Sequence, residues 1–150
     1  MRPIGRVKTL TNDRPSALDP WASRWIRTDA AVLFVAALWA CRATHSSWIW
    51  FFALFLVPDL SMLGYMFGPR VGAATYNAGH MYAWPVGLLA AGLAHHPSWA
   101  TTAALSWIAH IAFDNVVGYG LKIPTGFEYT IYGPIGKARA KTAATNSAPS

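Results

Sequence analysis

Apolar residues along the chain fall into four runs, separated by short polar or turn segments. The runs cover residues 29–41, 48–67, 71–94 and 98–120. A membrane-crossing helix needs about 20 predominantly apolar residues. The last three runs reach that length, and the first does so only if Ile26 is included. The pattern therefore predicts an all-α, integral membrane four-helix bundle.

Proline and small residues add detail to these predicted helices. Pro58 and Pro85 lie inside the second and third runs, and each predicts a kink because proline removes a backbone donor. The first half of the third run is rich in glycine and alanine, which favours close helix packing. Residues 68–70 read Gly-Pro-Arg and predict the turn between these two helices.

Polar and basic segments flank the four runs. We expect residues 1–27 to form a flexible cytoplasmic tail, whose Trp21 and Trp25 favour an interfacial helix at its end. Residues 28–134 are the predicted membrane domain. Residues 135–150 lack apolar content and are predicted to be a disordered tail.

Composition and charge placement predict the location and the orientation. The 150-residue chain is 54% hydrophobic and 12% charged, whereas soluble domains carry about 25% charged residues. If successive spans cross the membrane in alternating directions, all but one (Arg42) of the twelve Lys and Arg residues lie on the same side of the membrane. The positive-inside rule then predicts a multi-pass membrane protein with both termini cytoplasmic. The expected partner is the lipid bilayer and not nucleic acid, because the cations lie beside the spans.

Four ionisable residues interrupt the apolar runs. His110 and Asp114 are four residues apart on one helix, so both side chains leave the same face. Asp59 lies in the second run and His80 in the third. At about 1.5 Å of rise per residue, the four fall within one layer about 6 Å thick. Ionisable groups in hydrocarbon need partners, so we predict a single buried site, surrounded by Tyr76, Asn77, Ser61 and Asn115.

Three interpretations of this layer are open. In the first, a divalent transition metal is bound by Asp59, His80, His110 and Asp114, because imidazole and carboxylate suit zinc, iron, manganese or copper. His110 and Asp114 are then the candidate catalytic residues, with Asp114 either a ligand or the group that orients His110. In the second, the layer is a hydrogen-bonded structural network. In the third, it is a proton relay.

The remaining histidines fall in predicted loops on the far side of the membrane. We expect them to be solvated loop residues, because exposed polar side chains at helix ends are ordinary; they are His45, His95 and His96. The single cysteine, Cys41, allows no intrachain disulfide.

The leading functional hypothesis is a membrane-embedded, metal-dependent hydrolase whose lipid-like substrate enters from the cytoplasmic leaflet. The competing hypothesis is a non-enzymatic accessory subunit or a small proton or solute transporter. Lys122 and Arg70, at predicted cytoplasmic helix ends, are expected to contact lipid headgroups or to bind an anionic substrate.

Three motifs resemble a known family. They are PDLSMLGY at residues 58–65, GPRVGAATYNAGH at residues 68–80 and WIAHIAFDNVVGYGLKIPTGF at residues 107–127. Together they are similar to a bacterial membrane family known only as a domain of unknown function, DUF4260. The resemblance implies a small multi-pass membrane protein and carries no activity with it.

Overall fold

The computed structural model describes residues 18–95 and 98–147; predictions for residues 1–17 and for His96 lie outside this part of the chain. The described residues form mostly helices. In chain order the elements are α1 (Pro20–Ala43), α2 (Trp48–Phe55), a 3₁₀ helix (Val57–Phe67), α3 (Pro69–Gly79), α4 (Ala83–His95), α5 (Ser98–Val117), the strands β1 (Tyr129–Thr130) and β2 (Gly133–Pro134), and α6 (Gly136–Ser147).

Helix α1 is longer than the first apolar run. Asp19 caps it by accepting a hydrogen bond from the backbone N–H of Trp21 at 2.8 Å, and Pro20 occupies the first turn. Proline is favoured there because its missing N–H has no partner in the first turn. Residues 20–27, which we expected in the flexible tail, are therefore helical, and α1 reaches 24 residues.

Helix α5 lies at the centre of the fold. Twelve of its residues are buried, and α1, α2 and α4 pack around it. Its many alanines allow this close approach from several sides. The hydroxyl of Ser106 donates a hydrogen bond of 2.6 Å to the carbonyl of Phe51, which joins α5 to α2 across the core.

The second apolar run changes its helical geometry at Pro58. Helix α2 ends at Phe55, and the chain continues as an 11-residue 3₁₀ helix, which is long for this geometry. Glycines let this helix lie directly against α3. A Cβ at Gly79 would lie 2.9 Å from the Ser61 side chain, and one at Gly64 would overlap the hydroxyl of Thr75. The close packing brings Asp59 beside the end of α3.

The third apolar run is two helices, which corrects the predicted single helix with a kink at Pro85. Helix α3 ends at Gly79, and His80 is its C-cap. Pro85 lies in the first turn of α4, where proline causes no kink. The free carbonyl of Gly79 accepts a hydrogen bond of 2.8 Å from the indole N–H of Trp107. The break between α3 and α4 begins at His80, which is one of the predicted site residues.

The C-terminal region is ordered by a small hairpin and a last helix. Strands β1 and β2 pair antiparallel, and the backbone N–H of Leu18 donates to the carbonyl of Ile131 at 2.8 Å. The start of α1 and the hairpin therefore lie next to each other. Helix α6 covers most of residues 135–150, for which we expected disorder; its alanines have high helix propensity.

By length and apolar composition, one helical segment within the described residues could cross a membrane, Trp48–Phe67. This segment consists of α2 followed by the 3₁₀ helix, and most of its surface is exposed. Large apolar side chains cover its outer surface, with Ile49 82% exposed, Met66 81% and Phe67 79%. Exposed apolar surface of this kind marks contact with a membrane or a partner protein.

Candidate metal centre

Three elements bring the four predicted ionisable residues together. Asp59 comes from the first turn of the 3₁₀ helix and His80 from the end of α3, while His110 and Asp114 share one face of α5. One nitrogen or oxygen atom from each residue lies within 4.8 Å of the corresponding atoms of the other three. The predicted convergence into one buried cluster is confirmed.

Three of the distances within this cluster are close to those between ligands of a tetrahedral metal site. Nε2 of His80 lies 3.2 Å from Nε2 of His110. The distance from His110 Nε2 to Asp59 Oδ1 is 3.4 Å, and that from His80 Nε2 to Asp114 Oδ2 is 3.4 Å. The cross pairs, His80 with Asp59 and His110 with Asp114, are 3.8 and 3.9 Å apart. Bonds of about 2.0–2.1 Å to zinc place tetrahedral ligands about 3.3 Å apart.

Tyr76 fixes the orientation of two members of the cluster. Nδ1 of His80 lies 2.8 Å from the Tyr76 carbonyl. A carbonyl only accepts, so Nδ1 carries the proton and the Nε2 lone pair of neutral His80 faces the cluster. The Tyr76 ring stacks on His80 with centroids 3.7 Å apart, and its hydroxyl donates to Asp114 Oδ2 at 2.5 Å. Of the four predicted surrounding residues, Tyr76 contacts the cluster directly.

The other three predicted neighbours bind elsewhere. Asn77 hydrogen-bonds both the backbone N–H and the carbonyl of Lys122. Ser61 donates to the Pro58 carbonyl at 2.6 Å. Asn115 bonds the Ile111 carbonyl and the Tyr132 hydroxyl. These three residues hold the backbone around the cluster in place and do not extend the set of ligands.

Burial differs among the four residues of the cluster. His80, His110 and Asp114 are 4%, 2% and 6% exposed, whereas the side chain of Asp59 is 30% exposed. Asp59 is thus the most exposed member of the cluster.

Two polar atoms of the cluster lack hydrogen-bond partners among the described residues, Asp59 Oδ1 and His110 Nδ1. Asp59 Oδ1 faces the histidine nitrogens, and a cation there would satisfy it. Asp114 approaches the His110 ring at 3.9 Å, from Oδ2 to Nε2. Both Nε2 and Oδ2 belong to the set of atoms that could hold a metal ion.

Lys122 is a buried residue that the sequence did not single out as buried. It is 3% exposed and lies in the segment that follows α5. Burial lowers the pKa of its ammonium group, and the carboxylates of Asp114 and Asp59 act in the opposite direction. A lone lysine after an apolar run resembles an ordinary interfacial anchor, so the sequence held no signal for this burial.

Loop histidines lie outside the cluster. His45 is exposed between α1 and α2, and His95 is exposed at the end of α4. Both match the expected solvated loop residues.

Fold and site together define a mostly helical protein with a buried Asp/His cluster that could hold a metal ion. The family described as "Domain of unknown function (DUF4260)" matches residues 23–135, and the chain belongs to that family. No curated protein and no solved structure matches the chain.

Proposed function

We propose that this chain is a multi-pass protein of the bacterial inner membrane that carries a divalent transition metal and hydrolyses a lipid-like substrate. The observation that carries this proposal is the convergence of four ligand atoms from three separate elements. Their chemistry, two imidazole nitrogens and two carboxylate oxygens, suits zinc, iron, manganese or copper.

The proposed spans are α1, α2 with the 3₁₀ helix, α3 with α4, and α5. A helix interrupted at membrane depth is tolerated where its free backbone groups are buried in protein, and the Gly79 carbonyl meets this condition. Tryptophans favour membrane interfaces, and three that lie near helix ends are exposed: Trp21 (69%), Trp39 (71%) and Trp99 (69%). The basic segments at the two ends of the chain favour a cytoplasmic location for both termini.

Hydrolysis would use the four residues in two roles. His80, His110 and Asp114 are the buried ligands, and three protein ligands are the usual set at a catalytic zinc. A bound ion would polarise the scissile group and make water a better nucleophile. Asp59 is the exposed member, so it can bind the ion or accept the proton of the attacking water.

A lipid-like substrate is favoured by an apolar cavity of about 340 Å³ beside the cluster. Its lining includes Pro58, the residue before Asp59, and Gly79, the residue before His80. The lining residues are Leu54, Val57, Pro58, Ser61, Gly79, Leu88, Ala103 and Trp107. An acyl chain fits such a surface because burial of apolar area is favourable.

A second candidate function is a non-enzymatic accessory subunit or a small proton or solute transporter. The observation that favours it is the continuous series of contacts from Asp59 through His110 and His80 to Asp114 and the Tyr76 hydroxyl. Buried Asp and His residues in such a series can carry protons or serve as a structural network.

An assay of metal-dependent hydrolysis separates the two candidates. Full-length protein in mild detergent is stripped with a chelator, resupplied with single metals, and tested on short-chain lipid esters and phosphoesters. We expect activity to disappear with the metal and to be lost in Asp59→Asn but not in Asp29→Asn, an exposed aspartate of α1. Absence of hydrolysis, together with Asp59-dependent proton flux in liposomes, would refute the hydrolase and favour the transporter.

A further inference from the structure

Lys122 is held firmly in place beside the cluster. Its backbone N–H donates to Asn77 Oδ1 at 2.7 Å, and its carbonyl accepts from Asn77 Nδ2 at 2.9 Å. Asn77 lies on α3, three residues before His80. The position of Lys122 is therefore tied to the helix that supplies one of the proposed ligands.

The ammonium group of Lys122 lies among aromatic rings. Nζ is 5.0 Å from the ring centroid of Tyr76, 5.4 Å from that of Tyr119 and 4.5 Å from that of Phe127. Within the described residues this ammonium makes no ion pair or hydrogen bond. Rings attract a cation but accept no conventional hydrogen bond, so three strong donors are left without acceptors.

A cavity of about 240 Å³ opens onto Lys122. Tyr76 lines it and also contacts His80 and Asp114, so the cavity and the proposed metal centre lie on either side of one tyrosine ring. The other lining residues are Met62, Tyr119, Phe127, Glu128, Ile135 and Gly136.

The charges of this region favour an anion in the cavity. A divalent cation would neutralise the Asp59 and Asp114 carboxylates. Glu128 also lines the cavity but forms no ion pair with Lys122 within the described residues. The buried charge of Lys122 would then be unpaired, which is costly. Lysine is a common phosphate ligand as a point charge, and a phosphate has enough oxygen acceptors for its three donors.

We propose that the cavity at Lys122 binds a phosphate group of the substrate, beside the metal centre. This inference rests on the proposed function, because a bound cation would cancel the negative charge of Asp59 and Asp114 that otherwise offsets the charge of Lys122. The substrate class is then a phosphate-bearing amphiphile, whose apolar part occupies the apolar cavity near Asp59.

Equilibrium binding tests this site without requiring turnover. Full-length protein in detergent is titrated by calorimetry with a short-chain lipid phosphate monoester, with the matching uncharged diacylglycerol, and with inorganic phosphate. We expect Lys122→Met to weaken binding of the phosphate lipid about tenfold to hundredfold and to leave the uncharged lipid unaffected. Glu128→Gln, on the same cavity, should bind the phosphate lipid at least as tightly as the parent, because it removes a negative charge.

Further measurements make the outcome unambiguous. Thermal unfolding identifies a Lys122→Met protein that has failed to fold; Lys122→Gln then takes its place. Inorganic phosphate that binds with the same dependence on Lys122 would identify the phosphate group itself as the ligand; lipid-only binding would show that the acyl chains are needed as well. Unchanged affinity in folded Lys122→Met, or no binding by the parent, would overturn the proposal.

Metal content of the same samples separates this proposal from the proposed function. Parent protein that retains metal but binds phosphate independently of Lys122 would refute the anion site alone. Parent protein that lacks metal but shows Lys122-dependent phosphate binding would refute the metal centre alone.

Discussion

Replacement of Tyr76 by phenylalanine removes one hydroxyl group from the edge of the proposed metal centre. The ring is fully buried, stacks on His80 and faces the Lys122 ammonium. Phenylalanine retains these ring contacts. The change therefore removes one interaction, the hydrogen bond of 2.5 Å from the hydroxyl to Asp114 Oδ2.

The size of the effect follows from the nature of that hydrogen bond. A bond to a charged group contributes about 1.5–3 kcal/mol, and Asp114 is buried, so water cannot readily replace the lost donor. At about 1.4 kcal/mol per factor of ten, we expect the metal affinity of Tyr76→Phe to fall about tenfold to hundredfold. Loss of groups that orient metal ligands has a similar effect in general, about 10–100-fold.

Tyr65→Phe provides the matched control. Tyr65 is also a tyrosine on an element of the site, but its hydroxyl has no hydrogen-bond partner among the described residues. Its removal should leave metal affinity unchanged. The assay is competition with a chromophoric chelator in detergent, with thermal unfolding to verify that both variants are folded.

Two results would refute this reasoning. One is a folded Tyr76→Phe protein that binds metal as tightly as the parent, which would show that Asp114 does not depend on the hydroxyl. The other is an equal loss in Tyr65→Phe, which would assign the effect to general disturbance of the fold.

Three further predictions concern packing, the carboxylate and pH. Gly64→Ala forces a Cβ against Thr75 and should destabilise the protein by about 1–3 kcal/mol. Gly87→Ala should not, because its Cβ would meet nothing within 4 Å. Equal thermal unfolding midpoints for the two variants would contradict the tight packing at Gly64. Asp114→Asn and His110→Ala should abolish metal binding while most of the protein remains folded, and unfolding of both in detergent would instead indicate a structural network. Bound metal should be released as the pH falls from about 7 to 5, because imidazole ligands must be unprotonated to bind; retention at pH 5, measured after dialysis, would count against histidine ligands.

The cluster was predictable because its residues violate the apolar pattern. His110 and Asp114 stand out by their spacing on one helix, and Asp59 and His80 fall at the same depth when helix rise is counted. The expected convergence is found although α3 ends at Gly79, because the residues before the break are still helical. Depth alone did not identify which neighbours touch the cluster; of the four that were expected, Tyr76 does.

The fold departs from the prediction where local signals have two meanings. Pro20 lies in the segment that we expected to be a flexible tail, but after Asp19 it begins α1. Pro85 was interpreted as a kink and instead lies in the first turn of α4. The break follows Gly79 with no proline beside it, and the carbonyl that it frees is bound by Trp107 from another helix. Tertiary contacts of this kind cannot be deduced from local sequence.

Metal content of the purified protein tests the central claim most directly. Full-length protein without a histidine tag is analysed by elemental mass spectrometry beside the double variant His80→Ala/His110→Ala, and circular dichroism verifies that both are folded. We predict about one transition-metal ion per parent chain and none in the variant. Absence of metal from both folded proteins, or equal metal in both, would contradict a metal centre built from this cluster.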